Sequence, residues 1–123
     1  MRILVADDSD TMSALVTEVL TSEGHQVDVA RTGTDAWNML TAEPYDMILC
    51  DVVLPGLDGL RLYRRLTHER PELVSRLALM SGRTEAVRRF AEATGATFLA
   101  KPFQMRDLLE CVERCAPRAG QRR

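Results

Sequence analysis

Five short apolar runs, at residues 2–6, 26–30, 47–50, 76–80 and 97–100, alternate with five segments whose apolar residues recur at helical spacing. That alternation leaves few folds open. Strands separated by helices pair in parallel, and the helices cover both faces of the sheet. The third run is apolar at every position, as a strand buried on both faces must be. The fold class expected is α/β, a doubly wound five-stranded parallel sheet flanked by five helices. At 123 residues the chain makes one domain. It buries about two-thirds of its extended surface on folding, so no disulfide or structural metal is required.

The helical segments carry their own signals. Met12, Leu15, Val16, Val19 and Leu20 form one apolar stripe, with Ser9 or Asp10 as the cap and Gly24 as the stop. A second helix is expected over 34–41, ending before Pro44. Pro55, Gly56 and Asp58-Gly59 mark a loop before a third helix that runs to residue 68. A fourth, with Val87, Phe90 and Ala91 inward, spans 84–94 and stops at Gly95. The last repeats Met105, Leu108, Leu109 and Val112. The domain is expected over 1–116, with 117–123 a frayed basic tail.

Composition excludes several functions. The apolar run near the start ends in Asp7-Asp8, so it makes neither a signal peptide nor a membrane span, and a cytoplasmic protein is expected. Three cysteines, Cys50, Cys111 and Cys115, lack zinc-site spacing and read as reduced structural thiols. A net charge of −2 and 5% aromatics argue against nucleic-acid binding. The charge is nevertheless sorted. Residues 1–60 hold two Arg against eleven acids, and residues 61–123 hold fourteen bases against seven acids. Fifteen of the 16 basic residues are Arg, and the one Lys is Lys101.

In such a sheet, ligands bind outside the carboxyl ends of the strands. Asp7 and Asp8 follow the first strand, Asp51 the third, Ser81 the fourth and Lys101 the fifth. Three carboxylates converging at one edge repel unless a hard cation sits among them. An all-oxygen set with no His or Cys suits Mg²⁺, which favours one or two carboxylates plus a phosphate. A carboxylate can attack phosphorus and become an acyl phosphate once cations neutralise the transferring group. Lys101 supplies such a charge on a flexible stem.

The chain resembles the receiver domains of two-component response regulators over residues 2–116. The resemblance rests on Asp7-Asp8, on Asp51 with Pro55 four and Gly59 eight residues later, on Ser81-Gly82, and on Lys101-Pro102-Phe103. It implies strand order 2-1-3-4-5. It implies that Asp51 accepts a phosphoryl group from a phosphohistidine on a sensor histidine kinase or histidine phosphotransfer protein. Asp8, Asp51 and the backbone carbonyl of Val53 would hold Mg²⁺, with Asp7 acting through water. Ser81 would bond the phosphoryl group and Phe98 would be the aromatic switch. Such a domain catalyses only its own phosphorylation and dephosphorylation. Val53 and Arg83 occupy positions that in this family tune the acyl-phosphate lifetime, and Phe98 lacks the hydroxyl a Tyr would carry.

Blander readings stand beside these. Ser81 also suits a turn, Phe98 a core aromatic, and Pro102 either a helix start or a cis peptide. Trp37 and Tyr63 read as partly buried helix residues, and His25 and His68 as solvated. Arg83, Arg88, Arg89 and Arg106 make either a solvated face or a basic output surface on the fourth and fifth helices, fitting an acidic protein partner. The expected protein is a monomer or weak dimer. It stands alone or is cut from a hybrid histidine kinase or longer regulator. A haloacid dehalogenase-like phosphatase uses similar groups, but places its nucleophile after the first strand and adds a cap domain. A flavodoxin-like carrier would need a Ser, Thr and Gly-rich phosphate loop after the first strand.

Overall fold

The computed structural model describes residues 1–82 and 84–115. Strands β1 (Arg2–Ala6), β2 (Gln26–Ala30), β3 (Met47–Asp51), β4 (Leu77–Ser81) and β5 (Thr97–Ala100) alternate with helices α1 (Asp10–Ser22), α2 (Gly33–Ala42), α3 (Gly59–Glu69), α4 (Glu85–Thr94) and α5 (Met105–Cys115). The strands form one parallel sheet in the order β2-β1-β3-β4-β5. The central strand β3 is buried at all five positions.

Alternate residues of each strand feed two cores. On one face Ile3, Val5, Met47, Leu49, Ala78 and Met80 meet α1 and α5 through Val16, Leu20, Leu108, Cys111 and Val112. On the other, Leu4, Ile48, Leu77 and Leu79 meet α2, α3 and α4 through Ala36, Leu40, Leu62, Leu66 and Phe90. Four helices begin on a side-chain cap: Ser9, Thr32, Asp58 and Thr84 each accept a backbone N–H three residues on. Gly24 and Gly95 end α1 and α4 in left-handed conformations.

Some expectations need correction. A 3-10 helix, Pro71–Arg76, precedes β4, so that strand begins at Leu77 rather than at 76. Arg76 is drawn out of the strand because its Nη1 donates to the Tyr45 carbonyl at 3.1 Å. Leu15 and Met105, assigned by periodicity to buried stripes, are 52% and 61% exposed. In α1 the inward place goes to Ser13, whose hydroxyl is satisfied by the Ser9 carbonyl at 2.9 Å. Trp37 and Tyr63 are buried rather than partly so. The Arg65 guanidinium lies 3.9 Å over Trp37, and Tyr63 meets Phe90 edge-on at 5.3 Å. His25 is half-buried, with Nδ1 3.1 Å from the Met1 ammonium. All three cysteines are free and buried. Among the described residues no helix is long and apolar enough to cross a membrane. Arg83 and the tail expected over 117–123 lie outside the described residues.

Candidate functional site

The sheet register brings the strand ends to one edge. Asp51 pairs with Met80 and Ser81 with Ala100. The ladder continues past the strands: the Asp7 N–H donates to the Ala30 carbonyl at 3.0 Å and the Lys101 N–H to the Ser81 carbonyl at 2.8 Å. Beyond these points the chain turns, and two aspartates use the turns in the same way. Asp7 Oδ1 accepts the Ser9 N–H at 2.8 Å, and Asp51 Oδ1 accepts the Val53 N–H at 3.0 Å. Each is an Asx-type turn that fixes the carboxylate plane and leaves the other oxygen free to act.

Lys101 fills the space between those second oxygens. Its Nζ donates to Asp51 Oδ2 at 2.6 Å and stands 3.6 Å from Asp7 Oδ2. The preceding strand brings it to the edge, and the Lys101–Pro102 peptide is cis, the alternative left open by the sequence. Asp7 is 1% exposed and Asp51 9%. Burial pushes the Asp7 pKa above its ordinary value; the Ser9 N–H and Lys101 pull against that rise, and Asp51 and Asp8 add to it. For Lys101 burial acts downward, but the Asp51 bond and the fields of Asp51 and Asp7 outweigh it, so its pKa is raised. The ammonium form is thereby held.

The other named residues are placed differently. Asp8 is exposed, next to Asp7 at the end of β1. Val53 is 75% exposed, so its backbone alone faces the site chemistry. Ser81 donates its hydroxyl to the neighbouring Gly82 carbonyl at 3.0 Å, the turn role. Phe98 packs edge-on against Phe90, with centroids 6.3 Å apart, and lines a cavity of about 370 Å³ with Ser81, Val87, Ala91 and Ala100. On α4, Arg88 pairs with Glu85 and Glu92 at 2.6 and 3.2 Å, and Arg89 with Glu85 at 3.2 Å. Those two arginines are paired within their own helix, which weakens their share of the basic surface expected with Arg83 and Arg106. Cys50, a structural thiol by its sequence, also donates its S–H to the Asp51 carbonyl at 3.3 Å. Burial, then Asp51 and Asp7, raise its pKa, so it stays a thiol beside the carboxylates. A Cys directly before a strand-end Asp was the available signal.

The donor set fits a hard divalent cation. Among the described residues the donors at this edge are carboxylates and a loop carbonyl, and Asp7 Oδ2 is a buried oxygen without a hydrogen-bond partner. Among the described residues no three His, Cys, Asp or Glu side chains are gathered into a cage. Mg²⁺ is held by few carboxylates and keeps its waters, so it needs none.

A sequence profile of the response regulator receiver domain matches residues 3–113. The chain is 34% identical over 110 residues to the transcriptional regulatory protein TcrA of Mycobacterium tuberculosis, covering 88% of this chain and 43% of that protein. It is 33% identical over 115 residues to the response regulator receiver protein CpdR of Brucella abortus, covering 92% of this chain and 94% of that one. The chain thus spans less than half of TcrA and nearly all of CpdR. Among solved structures it is similar to the chemotaxis protein CheY4 of Vibrio cholerae, with a TM-score of 0.81 at 25% identity over 93% of this chain and 97% of that one.

Proposed function

Since the chain belongs to the response regulator receiver family of two-component systems, we propose that Asp51 is its phosphoacceptor and Lys101 the cation that makes the transfer possible. The observation that carries this reading is the Lys101 ammonium, 2.6 Å from Asp51 and 3.6 Å from Asp7. An anionic carboxylate approaches an anionic phosphoryl group only where charge is compensated. Val53 N–H holds one carboxylate oxygen, so Asp51 presents a fixed plane to the donor.

In the transfer a carboxylate oxygen of Asp51 forms a bond to phosphorus while the P–N bond of a phosphohistidine breaks. The electron pair stays on the imidazole nitrogen, which takes a proton, and nothing is oxidised or reduced. Asp8, Asp51 and the Val53 carbonyl would hold Mg²⁺, with Asp7 acting through water. When bound, the ion neutralises charge on the phosphoryl oxygens. Lys101 follows the phosphoryl group on its four-carbon stem. Ser81 exchanges its bond to the Gly82 carbonyl for one to the phosphoryl group. That rotation opens the cavity it shares with Phe98, and the ring turns inward, biasing a two-state equilibrium at the α4–β5–α5 face.

The donor is a sensor histidine kinase or a histidine phosphotransfer protein, and the output is a protein partner at that face, with no nucleic acid or membrane contact. The protein is a cytoplasmic monomer or weak dimer, acting alone or as the receiver part, residues 1–116, of a longer regulator or hybrid kinase. Its catalysis is confined to its own phosphorylation and dephosphorylation. Wild-type protein treated with acetyl phosphate and Mg²⁺ should gain one phosphoryl group by mass spectrometry, and Asp51→Asn none. Stoichiometric labelling of that variant refutes the assignment. Phosphotransfer profiling against purified kinases identifies the donor.

A further inference from the structure

We propose that Gly33, at the start of α2, is a positioning residue for the phosphoryl site, acting as the seat on which the loop after Asp51 rests. The proposal deepens the reading of Asp51 and Val53 given above and rests on it. The loop 52–58 begins with two fixed points. Val52 N–H donates to the Met80 carbonyl at 2.9 Å, and Val53 N–H holds Asp51 Oδ1 at 3.0 Å. It closes where the Gly59 N–H returns to the Val52 carbonyl at 2.9 Å. Between these points its middle is held by Leu54, buried in the core, and by α2, where the Gly33 N–H donates to the Pro55 carbonyl at 3.2 Å.

The contact allows no side chain. A Cβ built on Gly33 would overlap the carbonyl oxygen and carbon of Leu57 and lie 2.8 Å from its Cβ. Those are mostly backbone atoms, which cannot swing aside as a side-chain end can. Beside them Gly56 turns at φ +79°, and a Cβ there would stand 3.2 Å from Thr34 Oγ1, so the next residue of α2 closes the same seat. When something is added at the seat, one side must move. The α2 side is locked, because Ala36, Trp37 and Leu40 are buried in the core. On the loop side Leu54 is buried in that same core, but Val53, Pro55 and Gly56 are exposed, so the loop yields around Leu54, and it carries the Val53 amide that orients Asp51 and the Val53 carbonyl assigned to the metal.

Groups that orient metal-binding atoms from behind typically change affinity about 10–100-fold when altered. Gly33→Ala should weaken Mg²⁺ binding, measured by calorimetry on the full chain, about 10-fold. It should also shift the Val53 amide resonance in metal-free protein. Leu73→Ala, a buried core change in the 3-10 helix before β4, is the control for lost stability. It should lower the unfolding midpoint without moving either readout. Should Gly33→Ala fail to fold, Gly56→Ala strains the same seat and should move both readouts in the same direction. Wild-type affinity with an unmoved Val53 amide in a folded seat variant overturns the proposal, as does an equal effect in Leu73→Ala. If wild-type protein itself binds no Mg²⁺, the reading of the site fails. The metal-free Val53 shift then still decides whether Gly33 seats the loop.

Discussion

Lys101 is placed to be both an ion-pair partner and a competitor of the metal, and Lys101→Met separates these roles while keeping volume and stem. Its ammonium lies 2.6 Å from Asp51 Oδ2 and 3.6 Å from Asp7 Oδ2. At an effective dielectric of about 20 those separations correspond to about 6 and about 5 kcal/mol of gross attraction. Most of this is offset by the water each group gives up. Because the Asp7 side chain is 0% exposed and cannot recover solvent, a net loss of about 3 kcal/mol is expected, the low end for breaking a buried pair. In urea melts with a chelator, Lys101→Met should therefore unfold at clearly lower denaturant with an unchanged slope. Mg²⁺ should reverse the deficit. The two carboxylates no longer share their charge with an ammonium, so the ion binds more tightly, and mass action stabilises the variant more than the wild type at equal concentration. A metal-free variant as stable as wild type, or an equal Mg²⁺ increment in both proteins, would refute the shared-carboxylate picture.

Two further tests concern the frame that holds the site. At the opposite end of the sheet the Tyr45 hydroxyl donates to Asp28 at 2.7 Å, and burial, then that bond, push its pKa up to about 12. A raised folded pKa gives stability that is full below the ordinary value near 10 and is lost as pH rises from there through about 12. Tyr45→Phe should therefore narrow its deficit against wild type across that window in pH-dependent melts; a constant deficit contradicts the assignment. Ser9→Ala removes the α1 cap accepted from the Met12 N–H at 3.2 Å and should cost about 1 kcal/mol by chemical denaturation, with Ser9→Gly costing less. Equal losses in the two variants would mean the cap contributes little.

Sorting most residues into five strands, five helices and one shared sheet edge needed only the sequence. Apolar alternation is local, and Ser9, Gly24 and Gly95 announce helix ends by backbone chemistry that operates over a few residues. Asp7, Asp51, Ser81 and Lys101 could be assigned to one edge because parallel strands all deliver their carboxyl ends to the same side. What periodicity could not resolve is which flank of a stripe faces the core. Leu15 and Ser13 share the first turns of α1, and packing against the sheet together with the Ser9 carbonyl put Ser13 inside. Partner choice was equally hidden. The sequence left Arg88 and Arg89 between a solvated face and an output surface, and only the folded helix pairs them with Glu85 and Glu92. The lone Lys was visible as an exception in an Arg-rich chain. Its position between Asp51 and Asp7 depends on strand ends far apart in the chain, Asp51 lying fifty residues before it, and such long-range convergence exists only once the sheet is assembled.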